Sequence, residues 1–262
     1  GDDRRTVISY DPEEIDMEDL VSDDSVIITR TKLGYVKRMP ADTFKSQNRG
    51  GKGIKGSQTI ENDVVEELIM ATNHDFIMFF TDRGRVFRLK AYEIPEGSRT
   101  ARGTAVVNLL QLDGEEHITS IIPIREFSEG SYILMATRNG MIKKTPLPEY
   151  ANVRKNGLNA ITLKEDDALI EVKFTDGASE VLMVTAGGLP IRFNESEVRS
   201  CGRTSMGVCG MKFKSESDYV IGMQVVDDDQ TLLTVSEKGF GKRTPVSEFP
   251  SHHRGGKGIT CY

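Results

Sequence analysis

A unit of about fifty residues recurs five times in this chain of 262 residues, and no other feature restricts its fold as tightly. In each unit a β-type run breaks at Thr or Ser, reaches a Gly three residues later, and resumes with a cation four residues beyond that. The glycines are Gly34, Gly84, Gly140, Gly188 and Gly239. Thr31, Thr81, Thr137, Thr185 and Ser236 precede them, and Arg38, Arg88, Lys144, Arg192 and Arg243 follow. A second set, Gly53, Gly103, Gly157, Gly207 and Gly258, trails the first by 19, 19, 17, 19 and 19 residues. Arg49, Arg99, Arg203 and Arg254 stand four residues before four of these, whereas the third unit has Val153 there and Arg154 beside it. The period is that of one propeller-like blade.

Four short runs recur within a unit, clearest in the second at 76–80, 86–90, 105–110 and 118–122. Each is bounded by turn residues, and a Gly sits where the first pair needs a tight turn with positive φ. No segment carries helical periodicity over three turns. The expectation is an all-β array of four-stranded antiparallel blades, each built from the four runs of one unit. Isolated blades of this kind are unstable because they bury their faces against neighbours. After Gly258 only four residues remain, so the fifth unit is cut short, and either a strand near residues 6–9 or 25–30 closes the ring or an open edge is left.

The net charge of −6 hides a division along the chain. Residues 1–24 hold ten acidic and two basic side chains, which leaves a body of 32 basic and 30 acidic residues. The sequence therefore reads as an acidic linker over 1–24 and a repeat domain over 25–262, with pI a poor guide to partners. No apolar run is long enough to span a membrane and no apolar leader is present, so the expected setting is cytoplasmic. Cys201, Cys209 and Cys261 are odd in number and read as reduced thiols. The four histidines have no metal-ligand spacing with them, and no nucleophile–base signature is present. The chain is expected to hold no metal or cofactor and to catalyse nothing itself.

The densest motif is Gln47-Asn48-Arg49-Gly50-Gly51-Lys52-Gly53, echoed by His252-His253-Arg254-Gly255-Gly256-Lys257-Gly258. Glycines interleaved with cations let backbone amides approach phosphate oxygens while Arg and Lys neutralise them. Residues two and four past the first Gly share a strand face, as Val36 does with Arg38. The second places the cation outward near the blade edge, where five in register would form a basic track.

The run at 47–53 resembles the box motif of the C-terminal domain of DNA gyrase A, in the type IIA topoisomerase family. Asn48 replaces the usual basic residue, and the copy at 252–258 is degenerate. Similarity extends over the chain, including Thr-Asp-Arg-Gly-Arg-Val at 81–86, Ala-Thr-Arg-Asn-Gly at 136–140 and Gly-Lys-Arg-Thr-Pro-Val-Ser-Glu at 241–248. The resemblance implies a β-pinwheel of six units, of which five are visible, with double-stranded DNA wrapped around its rim. It implies partners in the catalytic part of the gyrase A polypeptide and in gyrase B, with ATP and Mg used elsewhere in the holoenzyme to introduce negative supercoils. The expected DNA-binding residues are the box, Gln47 to Gly53, with Lys37, Arg38, Arg88, Arg99, Arg102, Lys143, Lys144, Arg192, Arg203, Lys242, Arg243, Arg254 and Lys257. The rival readings are the matching C-terminal domain of topoisomerase IV, where wrapping is weaker, and a protein-interaction propeller that does not touch nucleic acid.

Overall fold

The computed structural model describes residues 17–43 and 63–260; the box at 47–53 lies outside the described residues. Among the described residues every extended helix is absent, and only short 3₁₀ turns punctuate the strands. In chain order the strands are β1 (Ser25–Thr31), β2 (Tyr35–Pro40), β3 (Val65–Thr72), β4 (Phe76–Thr81), β5 (Arg85–Lys90), β6 (Thr104–Ala105), β7 (Ile118–Ile124), β8 (Tyr132–Thr137) and β9 (Met141–Pro146). There follow β10 (Leu158–Asn159), β11 (Leu169–Thr175), β12 (Glu180–Thr185), β13 (Pro190–Asn194), β14 (Val208–Cys209), β15 (Val220–Val226), β16 (Thr231–Val235) and β17 (Gly241–Pro245).

The sheets run β3-β1-β2-β6, β10-β5-β4-β7, β11-β8-β9-β14, β13-β12-β15 and β16-β17, all antiparallel. The all-β expectation holds, with one correction: a blade is not made from the four runs of one unit. The short third run of each unit crosses to the preceding blade, so β6 pairs with β2, β10 with β5 and β14 with β9. The next unit's Ile259 N–H likewise reaches the Pro190 carbonyl at 3.0 Å. The longer strands β3, β7, β11 and β15 lie side by side from blade to blade and form the hub. The crossing strands are therefore the outermost, and the loops that feed them lie on the perimeter.

The repeated Thr and Ser have a local cause. Each hydroxyl accepts a hydrogen bond from the amide just past the first Gly: Thr31 from Tyr35 at 3.2 Å, Thr81 from Arg85 at 3.1 Å, Thr137 from Met141 at 3.2 Å, Thr185 from Leu189 at 3.3 Å and Ser236 from Phe240 at 3.2 Å. The side chain closes a turn that the strand ladder cannot. Within that turn Gly140 has φ +81°, and a Cβ there would lie 2.6 Å from the Met211 carbonyl oxygen. The second glycine set works at the crossing. Gly207 has φ +82° and a Cβ would stand 2.4 Å from the Ile142 carbonyl oxygen, because β14 must lie close against β9. Gly207→Ala therefore combines left-handed strain with a backbone clash, and thermal unfolding is expected to show a loss of at least about 2 kcal/mol.

The cores lie between blades, which explains why the strands read as continuous apolar runs rather than alternating ones. Ile77 and Phe79 of β4 pack with Val26, Ile28 and Val36 of the first sheet. Met78 and Phe80 of the same strand face Ile133 and Met135 of the third. Leu134 and Ala136 then meet Val181 and Met183 of the fourth. The last joint is smaller, resting on Leu182, Val226, Val246 and Phe249. Beyond it the final hairpin leaves Leu233, Val235 and Phe240 exposed.

Part of the acidic N-terminal stretch is docked. Asp23 accepts from Arg125 Nη2 at 2.7 Å and from the His74 amide at 3.0 Å, and Glu18 accepts from Lys90 Nζ at 3.0 Å. The Val21 carbonyl meets His74 Nε2 at 2.6 Å. The hydrogen bond from Arg125 holds the Asp23 carboxyl well below the ordinary carboxylate range, with partial burial opposing and the His74 amide adding to it. A lowered folded pKa gives an attachment fully present above the ordinary value and lost as pH falls through the lowered one. Residues 18–24 should thus stay docked well below pH 4, whereas Asp23→Asn releases them at neutral pH. Cleavage after Glu18 by a glutamyl endopeptidase is expected to quicken about tenfold in that variant.

Candidate nucleic-acid interface

Four of the five cations four past the first Gly, Arg38, Arg88, Lys144 and Arg192, do not lie outward at the blade edge. The face they share with Val36, Val86 and Ile142 is the buried face between blades. A long side chain there must run through the joint to reach a polar group. Arg38 donates through Nε to the Ile94 carbonyl at 3.1 Å and through Nη1 to Asn73 at 3.0 Å. Arg88 donates to the Ala151 carbonyl and lies over the Phe76 ring at 4.6 Å. Lys144 Nζ donates to the Glu195 carbonyl at 2.9 Å, over the Tyr132 ring at 5.1 Å. Arg192 donates to the carbonyls of Val246 and Phe249, at 3.2 and 3.3 Å, and pairs with Glu180 and Asp228.

These carbonyls belong to one place in the repeat. Each is the first residue of the next unit's 3₁₀ turn, or the residue just after it: the turns are Ala91–Glu93, Leu147–Tyr150, Glu195–Glu197 and Val246–Glu248. The cations reach forward by one blade and add a charged donor at these turns, where the Glu195 and Val246 carbonyls also accept the amides of Val198 and Phe249, both at 2.9 Å. Burial lowers the Arg88 pKa, with Glu93 opposing. Burial acts the same way on Arg192, but Asp228 and Glu180 outweigh it and hold that group above its ordinary value. Arg243, in the same register of the last hairpin, is exposed.

Lys37 and Lys143, one residue earlier in their units, are 2% and 0% exposed. Lys37 Nζ donates to the carbonyls of Ser98 at 3.3 Å, Arg99 at 2.7 Å and Ala101 at 3.0 Å. Lys143 Nζ donates to Ala160 at 2.5 Å and to Arg203. Both ammonium groups sit beneath the perimeter loops and tie down their backbones. Desolvation lowers both pKa values, that of Lys143 to about 8. Lys242, at the matching position in the last hairpin, is exposed.

The perimeter loops themselves carry the accessible charge. Residues 94–103, 151–157, 198–207 and 249–258 contain eight basic side chains and one acidic, Glu96, in a chain whose net charge is −6. Residues 44–53 add three basic and no acidic ones, outside the described residues. Arg102, Arg154, Lys155, Arg199 and Lys257 are exposed on these loops. Arg99 is half-buried, Arg203 lies 3.8 Å from Glu149, and Arg254 is drawn inward to the Glu197 and Cys209 carbonyls, both at 3.0 Å. Lys155 and Arg199 escaped the repeat-based reading because they occupy no shared offset. The signal for them is the charge density of the loops.

This arrangement has relatives. Residues 26–73, 75–125, 131–176, 179–227 and 230–262 match the sequence model of a family described as DNA gyrase C-terminal domain, beta-propeller. The DNA gyrase A protein of Clostridium acetobutylicum is 50% identical over 262 residues, covering 100% of this chain and 31% of that protein. That of Staphylococcus epidermidis is 43% identical over 263 residues, covering 99% of this chain and 29% of the relative. The chain thus spans about a third of the length of these relatives. A crystal structure of the C-terminal domain of DNA topoisomerase IV superposes with a TM-score of 0.76 at 32% identity, covering 92% of this chain and 73% of that one. A structure of a DNA gyrase A C-terminal domain gives 0.71 at 27%, covering 91% and 78%.

Proposed function

From the premise that this chain belongs to the DNA gyrase C-terminal domain family, we propose that it binds duplex DNA along its perimeter and bends it, so that a holoenzyme can introduce negative supercoils. The observation that carries this reading is the charge of the perimeter loops, with eight basic side chains against one acidic in the four described loops of a net-acidic chain. A surface built for protein contacts would need apolar anchors there. The exposed residues of these loops are mainly cationic and polar instead. Phosphate contacts of this kind position DNA without reading bases, so sequence preference should be small.

A distributed grip suits the mechanics. Curling duplex through half a turn over a few helical repeats costs on the order of 10 kcal/mol, beyond what one loop offsets. Arg102 on one unit, Arg154 and Lys155 on the next, Arg199 on the third and Lys257 on the fourth spread the contacts along an arc. Arg49 and Lys52 of the box belong to the same grip by their place in the repeat. Strand passage and ATP hydrolysis, which use ATP and Mg, fall to other parts of the enzyme, in gyrase B and the catalytic portion of gyrase A.

The topoisomerase IV reading is the second one, supported by the superposition at a TM-score of 0.76. The box at 47–53 and the 50% identity to a gyrase A protein favour the first. Titration of a duplex longer than a hundred base pairs across a salt series tests DNA binding itself. A steep fall in affinity with salt is expected from counterion release, and a flat plot rejects the proposal.

A further inference from the structure

We infer that Arg38, Arg88, Lys144 and Arg192 are positioning residues that set the angle between consecutive blades, and through it the curvature imposed on bound duplex. The inference rests on the wrapping reading above. Its support is the recurrence of one contact at four successive joints: a cation from one blade's second hairpin strand holds the carbonyls at the next blade's 3₁₀ turn. At three joints the backbone reinforces it. The Gly97 amide donates to the Arg38 carbonyl at 3.0 Å, Cys201 to Lys144 at 2.9 Å and His252 to Arg192 at 2.8 Å, with a parallel bridge at each place.

The joint between the second and third units is different. No such bridge forms at Arg88 among the described residues. The unit that follows is the one with a spacing of 17 rather than 19 between its glycines. Shortening the loop removes the segment that would pair with the Arg88 backbone. The β10–β5 ladder still crosses this joint, but at its 3₁₀-turn end the Arg88 side chain, fixed between the Phe76 ring, the Phe127 ring at 5.9 Å and the Ala151 carbonyl, acts without the added backbone bridge of the other three. Directional hydrogen bonds define an angle in a way that apolar packing between blades does not. Because the contacts sit inward of the perimeter, a small change of tilt at one joint moves the phosphate-binding loops of all later blades.

The test uses Arg88→Met and Lys144→Met beside the conservative Arg88→Lys and Lys144→Arg. Affinity for a duplex of about twenty base pairs and the linking-number shift captured by ligating nicked circles are measured on the same preparations. The inference expects short-duplex affinity within about twofold of wild type for Arg88→Met, and a linking shift per bound domain reduced to about half. The conservative variants should restore most but not all of the shift, and if either Met variant fails to fold, the remaining deficit in its Lys or Arg counterpart is the quantity that tests the inference. An unchanged shift in all folded variants overturns the inference, as does a tenfold loss of short-duplex affinity, which would make these residues DNA contacts. Absence of any shift in the wild-type domain would instead defeat the wrapping reading.

Discussion

Replacing Arg102, Arg154, Lys155 and Arg199 together by Gln is expected to weaken duplex binding roughly a thousandfold near 0.15 M salt and to reduce the slope of log affinity against log salt by about 3 to 4. The estimate follows from counterion release, which contributes about 0.9 to that slope for each phosphate neutralised. All four side chains are exposed, so their loss should leave the melting temperature nearly unchanged. Matched substitution of the buried Lys37 and Lys143 would show the reverse pattern. Isothermal titration or filter binding at four salt concentrations supplies the slope. A slope unchanged by the quadruple variant would remove these loops from the interface.

Lys143→Met should cost about 3 to 5 kcal/mol at pH 7, because it withdraws the charged donor of a fully buried side chain from the Ala160 and Arg203 carbonyls, leaving Ala160 only the longer bond from the Tyr150 hydroxyl at 3.4 Å. The pH dependence of that difference is the more specific signature. Burial lowers the Lys143 pKa from 10.5 to about 8. Below pH 8 the folded and unfolded states both hold the proton and the term is constant. Between pH 8 and 10.5 the unfolded state binds more protons than the folded one, so wild-type stability gains relative to Lys143→Met as pH rises. The gain over that window is about 3 kcal/mol, and a neutral amine still has two N–H donors for the two carbonyls. Urea unfolding of both proteins at pH 7.5, 9 and 10 measures it. A difference that stays flat with pH would mean the ammonium is as well solvated folded as unfolded.

The repeat was legible in the sequence because every conspicuous position in it answers a geometric demand of the fold. The Thr or Ser closes a turn, the glycines adopt positive φ or admit another backbone, and the cation bridges to the next blade. Such demands recur at fixed offsets, since hydrogen bonds tolerate errors of only a few tenths of an ångström. That is also why register misled the placement of Arg38, Arg88, Lys144 and Arg192, whose regular spacing suggested an outward basic track. A phosphate-contacting side chain is under a looser constraint. Long, solvated arginines and lysines can reach an anionic backbone from several loop positions, so under the proposed function Arg154, Lys155 and Arg199 need no common offset and stand out only as charge density.

The crossing of β6, β10 and β14 to the preceding blade could not be read from strand propensity, because each is a two-residue strand whose partner is chosen by packing. The clue lay in Gly103 and Gly207, which mark close approach to another backbone, and in Gly157, which lies against the Phe87 ring of the preceding blade. The second-unit runs at 76–80 and 86–90 are legible as a pair since a Thr–Gly turn joins them locally. Membership of a blade is decided by longer-range contacts.

The most direct measurement is the linking number of nicked circular plasmid religated in the presence of this domain and then stripped of protein. Wrapping around the charged perimeter predicts topoisomers displaced in one direction, toward positive linking numbers as the family resemblance implies, in proportion to bound protein. A topoisomer distribution that coincides with the protein-free control at saturating occupancy would contradict the account.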